Sequence, residues 1–365
     1  MAAPAFCDVI SERTPVKVVD LRPRKRDEAL KSPEPQPPPE VSIIQHHPGM
    51  SKVIGTKPTH SLLLSSLETS KNPFFHEGAV YLPAFEELYF TSNLLQPTSP
   101  AQLPVVLISK VRLHRDPDSG DVTGVEWTKL RPPSGIPRAA FGADQQSGVF
   151  YMARGKPPVP VVTSYYGREF NSVHGVAVAP DGGIWFTDPC HGFEQDYRKR
   201  PQMPCHVYRL ASRDSTDLRV VADGLGRPTC LAFSPDGGTL YITDTDAVHG
   251  DGNQDATRVA TIYAYDVLER SGSPFLANRR VFAYALRGIP MGVKCDNEGN
   301  VFAGCADGLE VWNSGGSLLG VIEIAGGVSN FCFSPGGREM FLCCETRLYR
   351  LHFGVDNFDE SMNFF

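Results

Sequence analysis

From residue 74 onward, short runs of alternating apolar and polar residues come in pairs, each pair joined by a turn rich in Pro, Asp, Asn and Gly. Six such pairs occur: EGAVYLPAFEELYFTSN, RAAFGADQQSGVFYMARG, HGVAVAPDGGIWFTDP, TCLAFSPDGGTLYITDT, MGVKCDNEGNVFAGCA and SNFCFSPGGREMFLCCE. A period of two puts successive side chains on opposite faces of a strand, and a tight polar turn reverses the chain. Each pair therefore predicts a β-hairpin. Further strand-like pieces lie between the pairs: HVYRLAS, RVVADG, ATIYAYDV, RRVFAYAL, LEVWNSGG and LLGVIEIAG. Each repeating unit then supplies about four strands, and successive units start 36 to 62 residues apart.

No long stretch keeps apolar residues at three-four spacing without a Gly or Pro interruption, so helix is nearly excluded. Six copies of one hairpin predict an all-β fold: a six-bladed β-propeller with four-stranded blades around a central channel. Closing the ring requires a strand from ahead of Phe74 to complete the blade begun by SNFCFSP. SLLLSS (Ser61–Ser66) is the candidate. The first 40 residues differ, because SPEPQPPPE (Ser32–Glu40) must be extended and cannot enter a central strand. Residues 1–40 read as a loosely attached arm, with VKVVDL a possible strand within it, and residues 41–365 as a single propeller domain.

Composition narrows the partners. The 365-residue chain is 41% hydrophobic and 21% charged with a net charge of −6, ordinary for a globular protein. Its most basic spot is RPRKR (Arg22–Arg26), read as a solvated terminal segment. With no long Lys/Arg run, neither nucleic acid nor an anionic membrane is an expected partner. No apolar run reaches the roughly 18–20 residues of a membrane helix, and the N-terminus lacks a signal-peptide pattern. The expected compartment is cytoplasmic. Nine irregularly spaced cysteines agree with that, and Cys230, Cys295, Cys332 and Cys343 sit in apolar strand patterns as small hydrophobes. Cys190 and Cys205 bracket a polar loop and could bridge, against which a reducing compartment works.

In a propeller the innermost strands line the channel and their starts converge at one mouth. The residues heading the hairpins are Glu77, Arg138, His174, Thr229, Met291 and Ser329; those ending the second strands are Asn93, Arg154, Asp188, Asp244, Ala306 and Glu345. Long loops follow two of the latter, Asp188–Cys205 and Asp244–Arg258, and are placed to cover a ligand.

The units HGVAVAPDGGIWFTDP and RPTCLAFSPDGGTLYITDTDA resemble the senescence-marker-protein/gluconolactonase family, itself related to strictosidine-synthase-like propellers. EGAVY at Glu77 is similar to that family's opening EGP-aromatic motif, FNSVHGV to its F/L-N-S-P-N-D-V segment, and RPTCLAF to its R-P-N-G-L-A-F segment. The resemblance covers residues 70–354 and implies a divalent metal, usually calcium, held by one Glu, two Asn and one Asp, which polarises a lactone carbonyl. Carried onto this chain, the glutamate is Glu77, but the asparagine positions hold His174 and Thr229 and the aspartate position holds Met291. Three of the four ligands are replaced, so no metal and no other cofactor is expected.

The replacement leaves an imidazole, a carboxylate, a hydroxyl and a thioether, a mixture suited to a small apolar organic substrate handled by acid–base groups. The expectation placed first is a metal-independent enzyme of specialised metabolism, since fungal and plant relatives of this class include catalysts of condensation, dehydration and hetero-Diels–Alder cycloaddition. In that reading His174, Glu77 and Asp244 are catalytic, while Thr229, Met291, Ser329, Arg138, Arg154, Asp188 and Asn93 bind substrate. The alternative is a lactone hydrolase in which His174 activates water and Arg138 or Arg154 stabilises the oxyanion. A non-catalytic binding propeller is the third reading.

Overall fold

The computed structural model describes residues 7–9, 12–20, 40–95, 105–130 and 147–354. Its architecture is all-β and of the propeller type, with five sheets of four or more strands among the described residues. Among the described residues, helix is confined to Met50–Ile54, His191–Glu194 and two 3-10 turns. None is long and apolar enough to cross a membrane. The chain divides into two compact units. The first comprises Met1–Asn93, Ile108–Lys129 and Asp296–Phe365, the second Leu94–Leu107 and Leu130–Cys295.

In the second unit the expected hairpins form. Val176–Val178 pairs antiparallel with Ile184–Asp188, followed by His206–Leu210 and Leu218–Ala222. The next sheet runs Pro228–Phe233, Thr239–Asp244, Thr261–Arg270 and Ser273–Tyr284. The PDGG turns have a local cause. Asp181 Oδ1 accepts from the Gly183 amide at 2.8 Å while Gly182 takes φ +82°, a left-handed conformation open to glycine. Asp236 and Gly237 repeat the arrangement at φ +69°. Among the described residues of this unit, one core lies around Trp185, Leu240 and Ile242 and another around Phe170, Phe186 and Tyr208. Each fully buried Phe, Leu or Ile contributes about 1.5–3 kcal/mol. Of the expected RAAFGADQQSGVFYMARG hairpin, the first half lies outside the described residues; in its second half Val149–Tyr151 pairs antiparallel with Val159–Val162, which follows that stretch.

In the first unit Asn330–Phe333, Glu339–Cys344 and Arg347–His352 are continued by Thr59–Ser65, so SLLLSS supplies the completing strand as expected. The described part of the N-terminal arm is not loose. Asp8–Val9 and Thr14–Pro15 both pair with Thr59–Ser65, and Lys17–Asp20 runs parallel to Val41–Gln45, which extends the sheet of Leu318–Ile324. The reason is that VKVVDL offers a β-branched edge to an open strand, and Val16 is buried in the core with Ile43 and Phe302. Of the proline-rich stretch, residues 32–39 lie outside the described residues.

Candidate active site

His174 heads the first strand of its hairpin, and its backbone is gripped on the next strand. Its amide donates to Thr187 O at 3.1 Å, and the Gly175 amide donates to Thr187 Oγ1 at 2.9 Å. Only glycine fits at 175, because a Cβ there would lie 2.5 Å from Thr229 O and 2.9 Å from Cys230 Cα. That close approach lets Thr229 O accept two donors, Thr187 Oγ1 at 2.9 Å and His174 Nδ1 at 3.2 Å. A carbonyl oxygen can only accept, so Nδ1 carries the proton and the neutral ring keeps its lone pair on Nε2.

A second imidazole faces the first. The rings of His174 and His191 lie edge to face with centroids 5.6 Å apart. His191 opens the one-turn helix inside the Asp188–Cys205 loop, and its Nε2 lies 3.4 Å from Thr229 Oγ1. That hydroxyl contacts Thr245 Oγ1 at 2.6 Å and donates to Arg227 O at 3.0 Å, so Thr229 orients both histidines, through its carbonyl and through its hydroxyl.

Glu194, three residues after His191, places Oε2 3.5 Å from His191 Nδ1, with both side chains nearly buried. The same oxygen accepts from the Gly250 amide at 2.7 Å, which brings the Asp244–Arg258 loop onto the helix. Glu194 Oε1 accepts from Arg227 Nε at 2.9 Å and from Cys190 Sγ at 3.2 Å, and Arg227 also pairs with Asp246. Burial pushes the Glu194 carboxyl up, but hydrogen bonds from His191, Arg227 and the Gly250 amide hold it well below the usual range. It stays an anion beside His191. An imidazole oriented by a buried carboxylate and backed by a second imidazole is equipped to move protons.

Asp188 and Asp244, read from sequence as mouth residues, have a different place. Asp188 is fully buried, and its two oxygens accept from the Asn171 and Ser172 amides at 3.0 and 2.8 Å. Asp244 accepts from the Gly226 and Arg227 amides at 2.9 and 2.8 Å. Each carboxylate clamps the segment entering its hairpin, which sets the approach of His174 in one case and Thr229 in the other. Burial raises both, Asp188 to about 7 despite its two backbone donors. The carboxylate proposed as catalytic at 244 is thus committed to backbone. Met291 is half-buried, and its carbonyl accepts from Thr243 Oγ1 at 3.1 Å. Arg154 lies in the exposed Ala153–Lys156 turn, and Arg138 lies outside the described residues.

Glu77, Ser329 and Asn93 belong to the first unit. Glu77 Oε2 accepts from Asn330 Nδ2. Ser329 Oγ donates to His76 O at 2.7 Å and sits 3.0 Å from Cys343 O, a backbone-fastening role. Asn93 Nδ2 donates at 3.4 Å to Glu345 Oε2, whose other oxygen meets His76 Nδ1 at 2.5 Å. His191, Glu194 and Arg227 escaped the sequence reading. The i, i+3 spacing of HGFE was their one signal, and it says nothing until the loop is known to fold back on Thr229.

A family model described as "SMP-30/Gluconolactonase/LRE-like region" matches residues 137–344. The chain belongs to this SMP-30/gluconolactonase family. A lactonohydrolase of Aspergillus oryzae, oryL, is 28% identical over 332 residues, covering 81% of this chain and 70% of that protein. A gluconolactonase of Zymomonas mobilis is 31% identical over 203 residues, covering 52% of this chain and 53% of that one. Among solved structures, a gluconolactonase from Xanthomonas campestris superposes with a TM-score of 0.63 at 24% identity, over 88% of this chain and 99% of that one. That likeness carries the propeller fold.

The metal site that the family resemblance implies does not suit the residues found here. Calcium takes six to eight hard oxygen donors. Thr229 Oγ1 already donates to Arg227 O, His174 Nδ1 already donates to Thr229 O, and Met291 offers a thioether. In the first unit the ligand atoms of Cys305, Asp307 and Glu310 lie within 4.8 Å of one another. Burial and the neighbouring Glu310 push the Cys305 thiol well above its ordinary value.

Proposed function

We propose that this family member is a lactone hydrolase that works without a metal, with His174 as base and His191 as hydrogen-bond donor. The observation that carries the reading is the facing pair of imidazoles, one tied through Nδ1 to a carbonyl and the other held beside a buried carboxylate. His174 Nε2 takes a proton from water as the oxygen attacks the lactone carbonyl carbon. The resulting oxyanion accepts from the Nε2–H of His191, which holds Thr229 Oγ1 only at 3.4 Å. Collapse breaks the bond between the carbonyl carbon and the ring oxygen, and the leaving alkoxide takes the proton from His174. The product is a hydroxy acid. The names of the Aspergillus and Zymomonas relatives support ring opening over the dehydration or cycloaddition expected first.

Three finer expectations remain part of this proposal. The lactone is a small apolar organic molecule, in keeping with a thioether where the family has a metal-binding carboxylate. The ring has six blades, five sheets being joined by the Val149–Val162 strand pair as a sixth. A cytoplasmic setting suits nine free thiols.

The test is hydrolysis of a panel of five- and six-membered lactones, followed by acid release. H174Q and H191Q should each lower kcat/KM by about 10²–10⁴, the range of general acid–base contributions. Turnover should survive exhaustive chelation. Unchanged rates in both variants, or activity lost to chelator and restored by calcium, would overturn the proposal.

A further inference from the structure

We propose that Cys190 and Cys205 are a peroxide-sensitive thiol pair that closes the neck of the His191 loop and thereby regulates the site just described. The regulation, though not the thiol chemistry, rests on the hydrolase reading. Asp188 and His206 are direct partners across antiparallel strands, so the loop between them leaves and returns at one point. Cys190 lies two residues after Asp188 and Cys205 one residue before His206, which puts both at that neck. They are partly accessible free thiols, whereas Cys305, Cys332, Cys343 and Cys344 are buried. Cys190 Sγ donates to Glu194 Oε1 at 3.2 Å, so the attacking end of the neck touches the helix that carries His191.

The pair has an ordered chemistry. The neighbouring Cys205 lowers the Cys190 thiol below its ordinary value, while Cys190 and burial together raise that of Cys205. Cys190 is then the attacking sulfur and Cys205 the resolving one. Cys190, giving up the proton it shares with Glu194, attacks one oxygen of hydrogen peroxide; the O–O bond breaks and the departing hydroxide leaves as water with that proton, leaving a sulfenic acid. The Cys205 sulfur, losing its proton, attacks the Cys190 sulfur; the S–O bond breaks and the second hydroxide leaves as water with that proton. Two thiols lose two electrons in all, and the peroxide gains them.

Formation of the bond draws the Cys190 sulfur away from Glu194, the carboxylate that sits against His191. The rest of the loop cannot follow freely. Arg198 donates to Phe170 O at 2.9 Å and to Asn171 O at 3.1 Å, while Asn171 Nδ2 donates to Met203 O at 3.2 Å. The strain therefore falls on the one-turn helix that carries His191 and Glu194. A shift of about 1 Å at a catalytic group can lower turnover on the order of tenfold or more.

The experiment treats the reduced full chain with graded hydrogen peroxide and maps peptides without reduction, alongside lactone turnover and hydrogen exchange over 190–205. Expected are a Cys190–Cys205 linked peptide, slower exchange in the loop, and a kcat/KM about tenfold lower that dithiothreitol restores. C205S should keep basal turnover and form no link. The proposal is overturned if peroxide oxidises either thiol without linking them, or if the link forms and turnover stays unchanged. A linked, exchange-protected loop in a chain that hydrolyses no lactone before oxidation would sink the hydrolase reading and leave the thiol pair standing.

Discussion

Replacing Glu194 by glutamine probes the site most sharply, because that one carboxylate touches His191, Arg227, Gly250 and Cys190. The substitution keeps the shape and one acceptor oxygen but removes the charge. Glu194 and Arg227 side chains are each only 10% exposed, so the pair is nearly out of water. Removing one partner of a buried pair costs about 3–5 kcal/mol. Asp246 still holds Arg227, and the glutamine oxygen can still accept from the Gly250 amide, which reduces the cost to about 2–3 kcal/mol. The assay is urea unfolding followed by fluorescence, with the fully buried Trp185 reporting on the second unit. The pH dependence has a definite sign. The folded carboxyl lies below its unfolded value, so its stabilisation is present above about pH 4.3 and is lost as pH falls below that. E194Q does not titrate, so its deficit should be full at pH 7 and narrow toward pH 3. Lactone kcat/KM should fall by about 10², the lower end of acid–base contributions, as His191 loses its charged partner. An unfolding midpoint equal to wild type at pH 7, or a deficit that does not change with pH, would refute the argument.

The other predictions concern the scaffold beneath the histidines. Burial raises Asp188 from 3.8 to about 7, so the folded state keeps a proton that the unfolded chain loses between those values. Stability from this group is full below about pH 4 and is lost as pH rises through 7, by up to about 4 kcal/mol at about 1.4 kcal/mol per pH unit. The stability of D188N, compared with wild type from pH 4 to 8, should lack that decline, and parallel curves would count against it. G175A forces a Cβ to within 2.5 Å of Thr229 O, so it should cost about 1–3 kcal/mol as overpacking does. It should also lower kcat/KM, because the displaced carbonyl orients His174; a variant as stable and active as wild type would show that the approach is not needed.

Strand pairing was legible because its causes are local. Alternation in IWFTD and TLYITD selects a buried face, and Asp-Gly-Gly closes the turn through contacts within four residues. The completing strand Thr59–Ser65 was legible for a related reason, since an apolar run must find an open edge. The arm was misjudged where it is described, because a short β-branched segment looks alike whether solvated or paired. The heads of the hairpins singled out His174 and Thr229, which the structure brings together with His191. The ends of the second strands misled. A carboxylate there has two choices, the solvent or the backbone amides of the entering segment, and Asp188 and Asp244 take the amides.

By itself, then, the sequence determined the all-β class, the repeating hairpins and the family. These follow from residue type and short-range spacing. Tertiary structure decided which polar groups meet. His191 and Glu194 reach Thr229 and Arg227 because the loop after Asp188 folds back across the neighbouring hairpin, and Gly250 arrives from a third segment. Those encounters join residues 33 to 56 positions apart in the chain. No local pattern encodes contacts over that distance, since they depend on how sheets and loops pack once the strands are already in place.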